Sequence, residues 1–206
     1  MPMTFSQFLT EAPLPDDWDS AIFNERLPFA KRVRYAQERA KKAGTGSSRV
    51  AFIIPYNGKD TVLKVAKNVK GAAQNEVEAQ YLEDWYLKNL NLFIPMIDYD
   101  ENNNQPTWIH TELAGKVTDA HFKQACGGKL SDLMDWVRTL RNRNTREFQP
   151  KINIESDLAQ AMQDFVLNYD PLIGDFDRHA NWGFYDGRPV ILDVGVNTEV
   201  MQKYYR

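Results

Sequence analysis

The chain has 206 residues, 43% of them hydrophobic and 26% charged, a balance that suits one ordinary globular domain or a two-lobed unit with a buried core. Its formal net charge of -3 argues against a general nucleic-acid binder, which needs a basic excess to neutralise phosphates. A single cysteine, Cys126, excludes an internal disulfide and a cysteine-based metal site, and no apolar run approaches the roughly 20 residues that cross a bilayer.

The start lacks the basic residues and apolar run of a secretory signal, so the expected setting is a soluble protein of a reducing compartment, neither secreted nor transmembrane. Residues 1–20 stand apart. Phe5, Phe8 and Leu9 give Met1–Glu11 a short amphipathic pattern, which Pro13, Pro15 and Asp16-Asp17 break. Pro28 opens a helix predicted to run to about Lys42, ahead of Gly44. Its basic residues, Lys31, Arg32, Arg34, Arg39, Lys41 and Lys42, read as a solvated face. Arg49–Pro55 and Thr61–Val65 follow as two strands, and the Asn57-Gly58 pair between them signals a hairpin. A long helical stretch spans about Ala72 to Leu90, with Val77, Tyr81 and Trp85 as its buried stripe at i, i+4 and i+8.

Phe93–Tyr99 and Thr107–Glu112 read as two more strands across the polar turn Asp100–Gln105. Cys126, beside two glycines and in no motif, reads as inert packing. Leu130–Leu140 and Glu155–Asn168 are predicted helices on either side of the charged loop Arg141–Arg146. A hairpin-like pair, Asn181–Tyr185 and Val190–Val194 around Asp186-Gly187-Arg188-Pro189, follows them. No internal repeat or low-complexity segment is present.

Several of these segments carry groups suited to phosphoryl transfer. That reaction needs donors around the phosphates, a cation to offset their charge, oxygen ligands for Mg²⁺, and a carboxylate to orient the attacking hydroxyl. Gly44-Thr45-Gly46-Ser47-Ser48 leads into a strand, and two glycines one residue apart let backbone N–H groups approach phosphates closely. Lys64, in Val62-Leu63-Lys64-Val65-Ala66-Lys67, is a lysine embedded in an apolar strand, with Lys67 as its rival. A helical glutamate would aim that lysine. On a helical wheel Glu78 falls beside the Val77/Tyr81/Trp85 stripe, and Glu76 on the other side. Near the C-terminus, Gly174-Asp175-Phe176-Asp177-Arg178-His179-Ala180-Asn181 and Leu192-Asp193-Val194-Gly195 supply acids and an amide on loops flanking a short hairpin.

In this order these motifs resemble the protein-kinase-like superfamily, and the Asp-Arg-His-x-Asn loop is most similar to its HipA-type and phosphoinositide-kinase-type branches. The resemblance spans about Gly44 to Gly195. It implies an α+β, compact two-lobed fold: residues 21–113 as a nucleotide-binding lobe of antiparallel sheet plus helix, and 114–206 as a small, mostly helical catalytic lobe. It implies ATP and Mg²⁺ as cofactors, with Gly44, Gly46 and Ser47 over the phosphates, Lys64 holding them and Glu78 aiming Lys64. Glu112 would lie near the adenine-binding hinge, Asp177 would be the catalytic base, and Asn181 and Asp193 would bind the metal. The activity implied is phosphoryl transfer from ATP to the hydroxyl of an unknown protein substrate.

Three departures stand beside that likeness. Arg49 replaces the third glycine of the phosphate loop. Only Ala180 separates His179 from Asn181, which keeps Asp175 as a rival base. Only 11 residues follow Gly195, too few for an activation segment and peptide-holding helices, so a pseudokinase or nucleotide-binding interaction module is the alternative. Finally, Met3–Ala12, with Leu9-Thr10-Glu11 before Ala12, resembles the capsid-targeting leaders of internal head proteins in large tailed bacteriophages. That resemblance implies cleavage after Glu11 and a phage-encoded virion component, packaged in a phage head or acting in the host cytoplasm.

Overall fold

The computed structural model describes residues 13–24, 27–101, 103, 105–141 and 148–205. The leader expected at Met3–Ala12, and all of the Arg141–Arg146 loop except Arg141, lie outside them. The protein is α+β and divides into two compact units. One comprises the residues up to Glu76 with Met96–Glu112, the other Val77–Pro95 with Leu113–Arg206. The chain passes from one to the other at Glu76/Val77, Pro95/Met96 and Glu112/Leu113, so Val77–Pro95 groups with the second unit.

The first unit is built on a five-stranded antiparallel sheet: β1 (Lys41–Thr45), β2 (Arg49–Tyr56), β3 (Lys59–Ala66), β4 (Met96–Tyr99) and β5 (Trp108–Glu112), in the order β1-β2-β3-β5-β4. The β2–β3 turn is Asn57-Gly58, both at positive φ as a tight hairpin requires. Because side chains alternate along strands, register decides what each face carries. Leu63 lies opposite Phe52 and His110, and Val65 opposite Val50 and Trp108. That face is buried with Leu14, Trp18, Phe23 and Ala36 from the segment that includes α1 (Ala21–Asn24) and α2 (Phe29–Arg39). Trp108 anchors it by donating its indole N–H to the Phe23 carbonyl at 3.1 Å.

Helix α2 ends at Arg39, not Lys42, because Ala40 turns extended and Lys41–Thr45 pairs with β2 as an edge strand. The solvated face also needs correction. Arg32 is buried beside Ala36 on the helix's inner stripe, and its Nη1 donates to the Leu27 carbonyl at 2.7 Å. The other five basic residues are exposed as expected.

The long helix is two helices. α3 (Val69–Glu83) ends where Asp84 adopts an extended ψ, and α4 (Trp85–Asn89) restarts with the Asp84 carboxylate accepting from Leu87 N–H at 3.0 Å. The new start breaks the i+8 spacing, so Trp85 is 78% exposed instead of completing the Val77/Tyr81 stripe. Phe93 is likewise not in a strand run but makes one isolated bridge to Ile191.

The second unit gathers α5 (Asp119–Cys126), α6 (Leu130–Leu140), α7 (Asp157–Asn168) and α8 (Thr198–Tyr204) with a small antiparallel sheet, β6 (Gly115–Lys116), β7 (Trp182–Tyr185) and β8 (Arg188–Ile191). Helices α5 and α8 were not anticipated. Phe165 on α7 centres the aromatic core, with ring centroids 5.5 Å from Tyr81 and 4.9 Å from Phe93. Cys126 is buried, and burial pushes its thiol pKa up, away from nucleophilic use. No helix among the described residues is long and apolar enough to cross a membrane.

Candidate functional site

The first unit holds the residues expected to take phosphates. The Gly44–Ser47 stretch is the end of β1 and the turn into β2, and it is exposed throughout. Gly46 N–H donates to the Arg49 carbonyl at 2.9 Å, which closes the turn. Neither Gly44 nor Gly46 sits at positive φ, a Cβ on Gly44 would meet nothing within 4 Å, and one on Gly46 only the Arg49 carbonyl at 3.9 Å. Packing and backbone conformation therefore demand neither glycine.

Behind the turn, the hairpin is fastened firmly. Ser48 Oγ donates to Gln74 Oε1, and Arg49 Nη1 donates to Asn75 Oδ1 at 3.1 Å. Asn75 in turn donates to the Pro106 carbonyl at 3.0 Å. Gly71 lets the first turns of α3 approach so closely that a Cβ there would lie 2.2 Å from the Ser48 carbonyl oxygen. Sequence reading had singled out none of Gln74, Asn75 or Gly71. The adjacent amides Gln74 and Asn75 in α3 were the available signal.

Lys64 sits in the middle of the sheet, opposite Ala51 on β2 and Ile109 on β5, and is 8% exposed. It belongs to the face opposite the Phe52/Leu63 core, the face that Arg49 also shares through its pairing with Ala66. Its rival Lys67 is exposed and donates to the Gly46 carbonyl at 2.9 Å, a clamp on the turn. Glu112 ends β5 where the chain passes into the second unit, with its carboxylate 2.5 Å from Lys59 Nζ. On α3, Glu78 is fully buried and Glu76 partly exposed.

The second unit holds the acids. Ile173–Asp177 and His179–Asn181 form two short 3-10 turns leading into β7. Phe176 plugs the core, and Trp182 fixes it by donating to the Phe176 carbonyl at 2.8 Å. This anchoring turns Asp175 and Asp177 to different surroundings. Asp177 is exposed and ion-paired with Arg138 of α6. Asp175 is half-buried, and desolvation raises its pKa, with the Asp193 charge adding to the rise and Arg178 opposing it. Asn181 Nδ2 donates to the Asp175 carbonyl at 2.6 Å, and Asn181 itself is tied to the strand after it, its carbonyl accepting from Leu192 N–H at 2.8 Å. Asp193 Oδ1 accepts from Gly195 N–H at 3.3 Å. His179 turns away to Asp119, Nε2 to Oδ1, at 3.0 Å.

The structure thus brings Asp175, Asn181 and Asp193 together and draws Asp177 off to Arg138. The Arg138 and Asp119 partners, tens of residues away in sequence, had no local signal.

Among the described residues no group of three or more His, Cys, Asp or Glu side chains is placed to hold a metal alone. An all-oxygen set of one or two carboxylates and an amide still fits Mg²⁺, which keeps several waters and takes the rest of its ligands from substrate phosphates. Neither protein-family models nor curated proteins give a match to this chain.

Proposed function

We propose that the protein is an ATP- and Mg²⁺-dependent phosphotransferase of protein-kinase-like type, acting on a hydroxyl group of another protein. The observation that carries the reading is the Asp175–Asn181–Asp193 arrangement: Asn181 is hydrogen-bonded to the Asp175 carbonyl on one side and to Leu192 N–H, next to Asp193, on the other, and the half-buried Asp175 carboxyl feels the Asp193 charge. A repelled pair of acids with one raised pKa is costly to keep unless a cation or a proton is its purpose. The bond from Asn181 Nδ2 commits the nitrogen end of that amide to the backbone, leaving the oxygen end as ligand. Support in the first unit comes from the unforced glycines of the β1–β2 turn and from Lys64, a nearly buried cation on the sheet face away from the core.

In this reading Asp193 and Asn181 hold Mg²⁺, whose charge offsets that of the transferred phosphoryl group. Lys64 and the N–H groups of Gly44–Ser47 bind the phosphates, and Glu78 aims Lys64. Asp175, not Asp177, is the better base. Its raised pKa suits it to take the proton of the acceptor hydroxyl as that oxygen gains the phosphoryl group, whereas Asp177 is exposed and engaged by Arg138.

The test is thermal unfolding with and without millimolar Mg-ATP, followed by transfer of labelled phosphate. A ligand at a hundredfold excess over its Kd stabilises the native state by about 2.7 kcal/mol, several degrees of Tm for a chain of this length. Asp193→Ala should remove the Mg²⁺-dependent part of that gain. A folded wild-type protein with no shift at millimolar Mg-ATP would refute the proposal.

A further inference from the structure

The second unit contains a groove of about 570 Å³ that shares no lining residue with the Asp175–Asn181–Asp193 site. Its walls are α5, through His121, Gln124 and Ala125, and the face of α7 that carries Asp157, Gln160, Ala161 and Asp164 at helical spacing. The segment Asn89–Leu92 and the β7–β8 turn, at Gly187–Pro189, complete it. Leu90, Leu92, Leu158 and Pro189 make its lining apolar between these polar walls.

The charge in it is one-sided. Arg188 is already engaged, its guanidinium bound to the Asp186 carboxylate at 3.0 Å and to the Asn91 carbonyl at 3.1 Å. His121 is stacked on Phe184 at 3.9 Å between centroids, with Nδ1 accepting from Thr118 N–H at 3.2 Å. Asp157 is exposed, and Asp164 receives only the neutral Tyr86 hydroxyl, on Oδ2 at 2.8 Å. Two carboxylates two helical turns apart thus face the groove with no cation bound to either among the described residues.

The apolar surface does not stop at the cavity. Tyr86 ties α4 to Asp164, and the neighbouring Trp85 is 78% exposed. Leu167, one turn beyond Asp164 on α7, is 53% exposed. An exposed tryptophan and leucine flanking an acidic, amide-walled groove are what a bound polypeptide covers, and they extend past what a small ligand reaches. The amide of Gln124, exposed on α5, offers a donor and an acceptor to an extended backbone, and the carboxylates offer partners to basic side chains.

We infer that this groove docks a short extended segment of a partner protein that carries two basic residues, about three apart to match the two helical turns between Asp157 and Asp164, beside aliphatic ones. The basic residues pair with Asp157 and Asp164, and the aliphatic ones fill the leucine-lined floor. The docking is independent of nucleotide, so it stands or falls apart from the phosphotransferase reading.

The experiment uses the full chain without nucleotide and two fluorescein-labelled dodecapeptides. One carries two arginines three residues apart beside Leu-Ala-Leu; the other has glutamates in place of the arginines. Fluorescence anisotropy should show the basic peptide binding and the acidic one at least about 10-fold weaker. Asp157→Asn with Asp164→Asn keeps the Tyr86 hydrogen bond while removing both charges, and should weaken the basic peptide by about 10-fold or more with Tm unchanged. Trp85→Ala, exposed and therefore safe for folding, should weaken it as well. Equal binding of the two peptides, no binding of the basic one at millimolar protein, or indifference to the paired Asn substitutions would overturn the inference. So would self-association of the chain that Trp85→Ala abolishes, which would assign the surface to a second copy.

Discussion

Asp175 and His110 are each held in the protein at some cost, and the two costs depend on pH with opposite sign. Asp175 has a native pKa above its ordinary value, chiefly through burial. Its contribution to stability is therefore full at acid pH, below the unfolded value, and is lost as pH rises through the native one. Asp175→Asn removes a desolvated charge repelled by Asp193. The expected gain at pH 7 is about 1 kcal/mol, some 2–4 °C in Tm, with phosphoryl transfer lowered about 100-fold or more. Asp177→Asn, at an exposed ion pair, should change Tm and transfer little. Unfolding scans and labelled-phosphate assays on the two variants decide between the acids; if Asp177→Asn alone abolishes transfer, the base is Asp177. His110 behaves oppositely. It is fully buried against Thr61 Oγ1 at 2.7 Å, and desolvation lowers its pKa to about 4. The neutral ring's contribution is present above the unfolded value near 6.5 and is lost as pH falls from there towards about 4, up to roughly 3 kcal/mol in total. Urea unfolding across that window should show the loss, and His110→Gln should flatten it; an unchanged slope would mean that the ring is already charged in the native state.

At the level of elements, the β1–β2 hairpin and α3 show which glycines serve structure and which do not. Gly71 is the close contact between α3 and the Ser48 backbone, so Gly71→Ala should destabilise by about 1–3 kcal/mol. Gly44→Ala meets nothing and should leave Tm within about half a kcal/mol of wild type. If the turn covers phosphates, the same methyl should cost about 10-fold in Mg-ATP affinity, measured by titration calorimetry; unchanged affinity would remove the turn from the site. How legible such elements were follows from how local their causes are. The two hairpins were readable because Asn57-Gly58 and Asp186-Gly187 impose their own turns at positive φ. Helices α6 and α7 were readable because a continuous apolar stripe runs along each. Strand β1 was hidden because Lys41-Lys42-Ala43 is exposed and unpatterned, and only pairing with β2 makes it a strand. Trp85 was misplaced because periodicity was carried across Asp84, whose capping of Leu87 N–H resets the helix phase. At the candidate site, the residue types were legible in the loop from Gly174 to Asn181. Which aspartate belongs with Asp193 was not, since it depends on Phe176 entering the core and on Arg138 taking Asp177.

Across the whole molecule, the chain passes between its two units three times, at Glu76/Val77 within α3, at Pro95/Met96 and at Glu112/Leu113. Neither unit is a contiguous segment. Helix α3 belongs to both: Asn75 on the first side fastens the hairpin through Arg49, and Glu78, three residues on, is fully buried on the second. A carboxylate with no exposure is unfavourable unless a cation or donors meet it, and Lys64, 8% exposed on its strand, has a long side chain that needs ordering to act on phosphates. If Glu78 aims Lys64, then Lys64→Ala and Glu78→Gln should each reduce the Mg-ATP stabilisation, and the double variant should lose little more than either single one, as coupled residues do. Glu76→Ala, at a partly exposed position, should match wild type. The readout is the nucleotide-induced rise in Tm taken from each variant's own baseline, which separates a lost ligand contact from the destabilisation that removing a buried charge brings by itself. Additive losses would mean that the two residues act independently. A damaging Glu76→Ala would move the pairing one face round the helix, and a silent Lys64→Ala would remove the sheet from the nucleotide site while leaving the roles of Asp175, Asn181 and Asp193 to be judged by their own variants.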